Sequence, residues 1–186
     1  PGTGTVWYNL IGTVNGTLSA TSIGTTTAGT MTFDGVDDTL NIVLASLVSS
    51  DFTVIGVSGK VAGSNGRLIS ARSNNFLLGH HGTGSRKYYS EGWVASSYSD
   101  SSNDVHIYCG TGDISGDVYS FREDNVNYTQ TASGGSQGPN GFALGSFQNG
   151  SEYGTGTITV LLVYNRVLTD AEIDQNFNAQ KNRFGV

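Results

Sequence analysis

The sequence predicts an all-β protein, a two-sheet antiparallel sandwich or jelly roll closed by one short C-terminal α-helix. Three observations carry that expectation. Ten or more short apolar runs recur at spacings near ten residues, which is the rhythm of sandwich strands. Twenty-seven Gly against two Pro, spread evenly along 186 residues, supply many tight turns and no linker. Only the last stretch, "TDAEIDQNFNAQKNRFG", changes from strand to helix period.

The strand-like runs, in order, are "TMTF", "TLNIVL", "FTVIGVSGKVA", "RLISA", "NFLLG", "KYYSEGWVA", "VHIYCG", "DVYSF", "NVNYTQ", "GFALGSF" and "TITVLLVYN". Before them, "PGTGTVWYNLIG" reads as an edge strand with Trp7 packed inward, or as an arm free to dock on a partner. In "DVHIYCG", alternation puts Val105, Ile107 and Cys109 on one face and His106 and Tyr108 on the other. Cys109 is then a small buried hydrophobe rather than a reactive thiol. In "TITVLLVYN" the set Ile158, Val160, Leu162 and Tyr164 forms one apolar face, while the opposite face turns apolar midway. Such a strand is central, and something must cover its outer side.

The cover is the helix. Thr169 and Glu172 form a capping box, with Leu168 and Ile173 at the positions of a hydrophobic staple. Asp170 and Glu172 sit at its positive end, Lys181 and Arg183 at its negative end, and Gly185 stops it. Ile173, Phe177 and Phe184 share one stripe, so the helix docks as a lid over the last strand.

A single domain, residues 1–186, is expected, because sandwiches of this size do not split and bury enough surface to stand without staples. The balance is acidic, 9 Lys+Arg against 15 Asp+Glu, and the cations do not cluster, so no nucleic acid partner is expected. Only 13% of residues are charged. That leaves a surface of hydroxyls, amides and backbone, a composition common outside cells and on particles. No apolar run approaches the ~20 residues of a membrane-spanning helix, so no membrane insertion is expected. The opening "PGTGTV" implies processing or excision from a longer chain.

Two stretches carry a family resemblance. "MTFDGVDDTLNI" followed by "DFTVIGV" resembles the early strands of concanavalin A-like, laminin G-like jelly rolls, with their Phe-x-Gly-x-x-Asp turn. The ending "LLVYNRVLTDAEIDQNFNAQKNRFGV" resembles the closing strand and terminal helix of that superfamily. Together they bracket residues 31 to 186, and "NFNAQKNRFG" is similar to endings of tailed-phage virion proteins and bacterial surface proteins. The resemblance implies a two-sheet jelly roll used for recognition or assembly, often of glycans and sometimes with calcium.

Chemistry-bearing constellations are few. Glycoside hydrolysis needs two carboxylates about 5 to 9 Å apart on one cleft wall. Here Glu123 and Asp124 are adjacent and point apart if extended, and "TDAEID" lies on the helix. No catalytic set results, and the protein is not expected to be an enzyme. Neighbouring His80 and His81 likewise point apart and mark a loop or strand end rather than zinc. No cofactor or metal is expected, with calcium at Asp34, Asp37 and Asp38 as the one alternative. Those acids are also ordinary turn formers. The sequons at Asn15, Asn127 and Asn149 matter only in a eukaryotic secretory setting.

The expected ligand site is the aromatic stretch "KYYSEGWVASSYS", with Tyr88, Tyr89, Trp93 and Tyr98. A sugar ring offers an apolar C–H face and a polar rim, which suits aromatics flanked by amides and hydroxyls. The functional expectation is a non-catalytic surface or structural protein of a tailed-phage virion, a capsid decoration or tail-associated domain that meets other virion proteins and cell-surface glycans. The alternative is a carbohydrate-binding module of a secreted bacterial enzyme or adhesin.

Overall fold

The computed structural model describes residues 6–10, 12–18, 24–25, 29–45, 47–96, 103–131, 135–148 and 150–186. In chain order its elements are β1 (Val6–Trp7), β2 (Gly16–Leu18), β3 (Gly24–Thr25), β4 (Met31–Asp34), β5 (Leu40–Ile42), β6 (Phe52–Lys60), β7 (Ile69–Ala71), β8 (Phe76–His81), β9 (Gly84–Ser90), β10 (Trp93–Ala95), β11 (Val105–Asp113), β12 (Val118–Glu123), β13 (Val126–Thr131), β14 (Phe142–Leu144), β15 (Thr155–Tyr164) and α1 (Asp170–Phe184). They form two antiparallel sheets, ordered β1-β2-β5-β14-β7-β8-β9-β10 and β13-β12-β11-β6-β15-β4-β3. The middle of each sheet is built from strands distant in sequence, β2-β5-β14-β7 in one and β11-β6-β15-β4 in the other, as a jelly roll requires. Among the described residues no helix is long and apolar enough to cross a membrane.

The sheets face each other across an aromatic core. Phe76 of β8 is its hub, with ring centroids 6.0 Å from Phe52, 5.8 Å from Tyr88 and 6.1 Å from Phe142, all edge-on. Such edge contacts add about 0.5–1.5 kcal/mol each beyond the burial of the rings. Phe33, at the head of the Phe-x-Gly-x-x-Asp turn, is fully buried in the same core. The turn then carries the chain from β4 in one sheet to β5 in the other.

A second apolar cluster lies on the outer face of the second sheet. Ile55, Val57, Ile107 and Cys109 form its floor, and Leu168, Ile173, Phe177 and Phe184 come down on it from the helix. The helix therefore covers β6 and β11 as well as the last strand. Its capping box is present, with Thr169 N donating to Glu172 Oε2 at 2.9 Å and Glu172 N donating to Thr169 Oγ1 at 3.4 Å. Gly185 closes it in the left-handed region at φ 75°, its N–H donating to Lys181 O.

The last strand departs from simple alternation. Ile158 points into the inter-sheet core, yet Val160, Leu162 and Tyr164 pack under the helix, and Leu161 and Val163 take over the inner face. A register shift between Ile158 and Val160 against β6 explains it: one extra residue reverses which side each later residue faces. The expected apolar face of Ile158, Val160, Leu162 and Tyr164 is thus split between two clusters.

At the other end of the chain, β1 pairs with β2 as an edge strand and Trp7 packs against the core. This corresponds to the edge-strand reading of "PGTGTVWYNLIG". Tyr8 and Leu10, just after it, are exposed.

Candidate functional site

The aromatic stretch folds as the hairpin of β9 and β10 at one edge of the first sheet, with Glu91 in the left-handed region at φ 54° making the tight turn. Trp93 pairs directly with Tyr89, and Tyr89 with Leu77 of β8. Cross-strand partners share a face, so Tyr89 and Trp93 lie together on the outer side of the sheet. Their rings meet edge-on at 5.1 Å, and the His81 ring also meets Trp93 edge-on, at 5.6 Å. Trp93 is 43% exposed.

Polar groups rim the shelf. Lys87, two residues before Tyr89 on the same strand, donates to Ser96 O. His81 Nε2 lies 3.8 Å from Glu152 Oε2, and Glu152 accepts Arg67 Nε at 2.6 Å. Arg67 in turn covers the Phe147 ring at 4.1 Å. Partial burial, and then the Arg67 charge, hold the His81 pKa below its ordinary value. At neutral pH the ring is uncharged and offers one donor and one acceptor.

Of the four residues expected here, the structure brings Tyr89 and Trp93 together. Tyr88 is a correction: alternation along β9 turns it into the core, fully buried, its hydroxyl donating to Thr111 O at 3.0 Å. A side chain enclosed between two sheets has no face left for a ligand. Tyr98 lies outside the described residues. His81 joins the shelf although the vicinal pair was expected only at a strand end. The missed signal was its sheet position opposite the β9–β10 hairpin, which pairing supplies and sequence spacing does not.

A second constellation was not expected. Toward one end of the sandwich the inner faces turn from apolar to polar, where β6 continues from Phe52 and Val54 to Ser58 and Lys60. His80 is buried against Ser58, 3.2 Å from its hydroxyl, and its ring stands edge-on to Tyr108 at 5.2 Å. Gly79 makes this bend, with φ +91° and a would-be Cβ only 2.7 Å from the Tyr108 ring. His106 Nδ1 lies 2.6 Å from Asp124 Oδ2 and 3.7 Å from Glu123 Oε1, while Arg86 bonds Glu123. Glu123 and Asp124 were expected on opposite faces. Instead Asp124 and Asn125 both adopt left-handed φ, 48° and 65°, so the turn folds Asp124 back onto His106 and onto Ile107 N.

Burial pushes the His80 pKa down to about 3 and that of Lys60 down to about 8. The hydrogen bond to Asp124 raises that of His106, and burial raises that of Glu123. Arg86 and His106 engage one Glu123 oxygen, and His106 and the Ile107 N–H engage Asp124, while Glu123 Oε2 is buried with no hydrogen-bond partner.

Two groups of three side chains among the described residues bring potential metal donors within 4.8 Å of one another. The first is His106, Glu123 and Asp124, whose two negative charges already face Arg86 and a histidine that favours its charged form. The second is Asp34, Asp37 and Asp38 in the turn after β4. No Lys or Arg among the described residues pairs with any of these three. Elsewhere, an open cleft of about 310 Å³ lies between the end of β15 and α1, lined by Tyr164, Arg166, Glu172 and Asn176 among others. The Tyr164 hydroxyl there is already committed to Asn176 at 3.0 Å.

The chain matches no protein-family model, and none of the curated proteins matches it. Solved structures do resemble it. A Trypanosoma rangeli sialidase in complex with sialic acid superposes with a TM-score of 0.68 at 18% identity, covering 97% of this chain and 32% of the sialidase. The ligand-binding domain of botulinum neurotoxin serotype D in complex with N-acetylneuraminic acid gives 0.67 at 11% identity, covering 90% and 46% of the respective chains. The receptor-binding domain of a botulinum neurotoxin C/D mosaic gives 0.66 at 10%, covering 90% and 47%. This chain thus spans less than half of each. At such identities the likeness is one of fold, a concanavalin A-like sandwich of the jelly-roll kind.

Proposed function

We propose that the chain is a non-catalytic carbohydrate-recognition module that grips a sugar ring on the shelf of Trp93, Tyr89 and His81. One observation carries this reading: a tryptophan 43% exposed, braced by two rings at 5.1 and 5.6 Å. A ring so braced has lost its rotamer freedom before any ligand arrives, which lowers the entropic cost of binding. Its open face suits the C–H side of a pyranose, and Lys87, His81 and Glu152 suit the hydroxyl rim. The structural neighbours include a sialidase and a neurotoxin ligand-binding domain whose descriptions name bound sialic acid, so sialylated glycans belong in any test panel. The engagement of Glu123 and Asp124 by Arg86 and His106 favours binding over hydrolysis.

The setting we propose is the exterior of a tailed-phage particle, with other virion proteins as partners. The support is the charge-poor surface and the "VYNRVLTDAEI" ending. Mass spectrometry of purified particles detects the chain if this holds; a gene lying among polysaccharide-degradation genes, with no virion genes nearby, instead favours a module of a secreted enzyme or adhesin.

The recognition reading is tested by binding of the full chain to an immobilised glycan panel, alongside Trp93→Ala. The expected result is binding to at least one glycan, weakened tenfold or more in the variant, which remains folded. Absence of binding to every glycan, or full retention by Trp93→Ala, overturns it.

A further inference from the structure

We infer that the end of the sandwich beneath the β8–β9 turn is an acid-opened latch, in which His80, shut between the sheets, holds the strand end that carries His81 onto the sugar shelf. Its effect on binding rests on the recognition reading above, whereas the opening itself does not. His80 and His81 are consecutive on β8 yet face opposite ways. His80 is 1% exposed, its Nε2 3.2 Å from the Ser58 hydroxyl across the sandwich, while the His81 ring meets Trp93 at 5.6 Å on the outside. The pairing of β8 with β9 shifts register between Gly79 and His80. A displacement of His80 therefore carries His81 with it.

Closure at this end is polar, unlike the aromatic packing around Phe76. Three ties cross from one sheet to the other: Ser58 to His80, Lys60 Nζ donating to Gly82 O, and Arg86 paired with Glu123. Apolar contacts are indifferent to pH, but each of these ties includes a titratable group. The bonding is also incomplete, since His80 Nδ1, His106 Nε2 and Glu123 Oε2 are buried with no hydrogen-bond partner. Buried polar atoms left this way cost free energy that opening to water recovers. This end of the sandwich is thus easier to open than the rest.

The titratable groups gathered here are Lys60 from β6, His106 and Tyr108 from β11, Glu123 and Asp124 from β12 and its turn, and Arg86 from β9. A neutral His80 carries one N–H, which the Ser58 contact and the bare Nδ1 accommodate. Protonation puts an N–H on both nitrogens, leaves Nδ1–H without an acceptor, and adds a cation beside Lys60 and His106. Burial, then those two charges, hold the His80 pKa at about 3, so the closed end does not take a proton that the opened imidazole takes near 6.5. Each pH unit below 6.5 then favours the open form by up to about tenfold. Lys60, at about 8, is mostly charged throughout that range, and His106, raised by its bond to Asp124, is charged there in both forms. Glu123, raised by burial, protonates more readily when closed and offsets part of the slope at its acid end. His81 is lowered in the same sense as His80, first by partial burial, and needs its own variant.

The test is hydrogen exchange of the full, ligand-free chain from about pH 7 to about pH 4, corrected for intrinsic exchange rates. The expected result is that protection of residues 78–86 falls by up to about tenfold per pH unit below 6.5, while β14 and α1 keep theirs. His80→Gln removes the slope and His81→Gln keeps it. Protection at 78–86 that does not change with pH, a uniform loss over both sheets, or a slope that survives His80→Gln or vanishes in His81→Gln overturns the latch. The wild-type series alone separates local from uniform loss if His80→Gln does not fold. With a glycan that binds, affinity falls more steeply with acid in wild type than in His80→Gln; affinity that holds while the end opens overturns the link to the shelf. Absence of all glycan binding sinks the recognition reading, and the exchange series still decides the latch.

Discussion

Tyr88 and Tyr89 stand back to back on β9: Tyr88 is buried with its hydroxyl 3.0 Å from Thr111 O, and Tyr89 meets Trp93 edge-on at 5.1 Å on the outer face. One residue holds the sandwich together, and the other braces the proposed binding surface. Their substitutions therefore separate stability from recognition.

Trp93→Ala is expected to cost less unfolding free energy than Tyr88→Ala, because Trp93 is 43% exposed whereas Tyr88 is fully buried. Tyr88→Phe removes one buried hydrogen bond and costs about 1 kcal/mol, whereas Tyr88→Ala leaves a cavity and costs about 3–5 kcal/mol. Urea denaturation orders them, and a Trp93→Ala cost matching that of Tyr88→Ala would move Trp93 from the shelf into the core.

The two interior histidines pull stability in opposite directions with pH. His80 is held neutral, its pKa lowered from 6.5 to about 3 by burial and then by Lys60 and His106. The unfolded chain binds its proton first, so the stability His80 contributes is lost as pH falls from 6.5 toward 3. His106 is raised, chiefly by the bond to Asp124. Its contribution is complete below 6.5 and is lost as pH rises from there through the folded value. Denaturation midpoints from about pH 3 to about pH 9 should show His80→Gln flattening the acid limb relative to wild type and His106→Gln flattening the limb above 6.5.

Cys109 lies under the helix, 4% exposed, and burial raises its thiol pKa to about 12. Only the thiolate reacts at useful rates. Modification by a disulfide reagent at neutral pH is expected to follow global unfolding or undocking of α1, and to accelerate in Ile173→Ala, which thins that lid. Fast labelling of the native protein at the rate of an exposed thiol would contradict this placement.

Much of the architecture was legible because its signals are local. The capping box of Thr169 and Glu172, the staple of Leu168 and Ile173, and the stripe of Ile173, Phe177 and Phe184 all follow from helical spacing, and all appear as read. The faces of β11 followed from strand alternation, with Val105, Ile107 and Cys109 under the helix and Tyr108 in the core. Where reading failed, geometry between elements had intervened. The bulge beside Thr159 reverses β15 midway, and it arises from pairing with β6, which no run of apolar letters encodes. Tyr88 read like its neighbours because an aromatic cluster in sequence does not say which ring the sheet turns inward.

By itself the sequence determined the two-sheet sandwich and the docked terminal helix, since period, turn chemistry and capping act over a few residues. Only the tertiary structure decided which side chains share a surface. Pairing of β8 and of β10 with β9 put His81 and Tyr89 beside Trp93. The left-handed turn at Asp124 and Asn125 drew a carboxylate onto His106, and closure around the β4–β5 crossing buried one oxygen of Asp38 without a partner. The reason is that sites form where distant segments meet, and those contacts are fixed by register and strand order rather than by any local pattern.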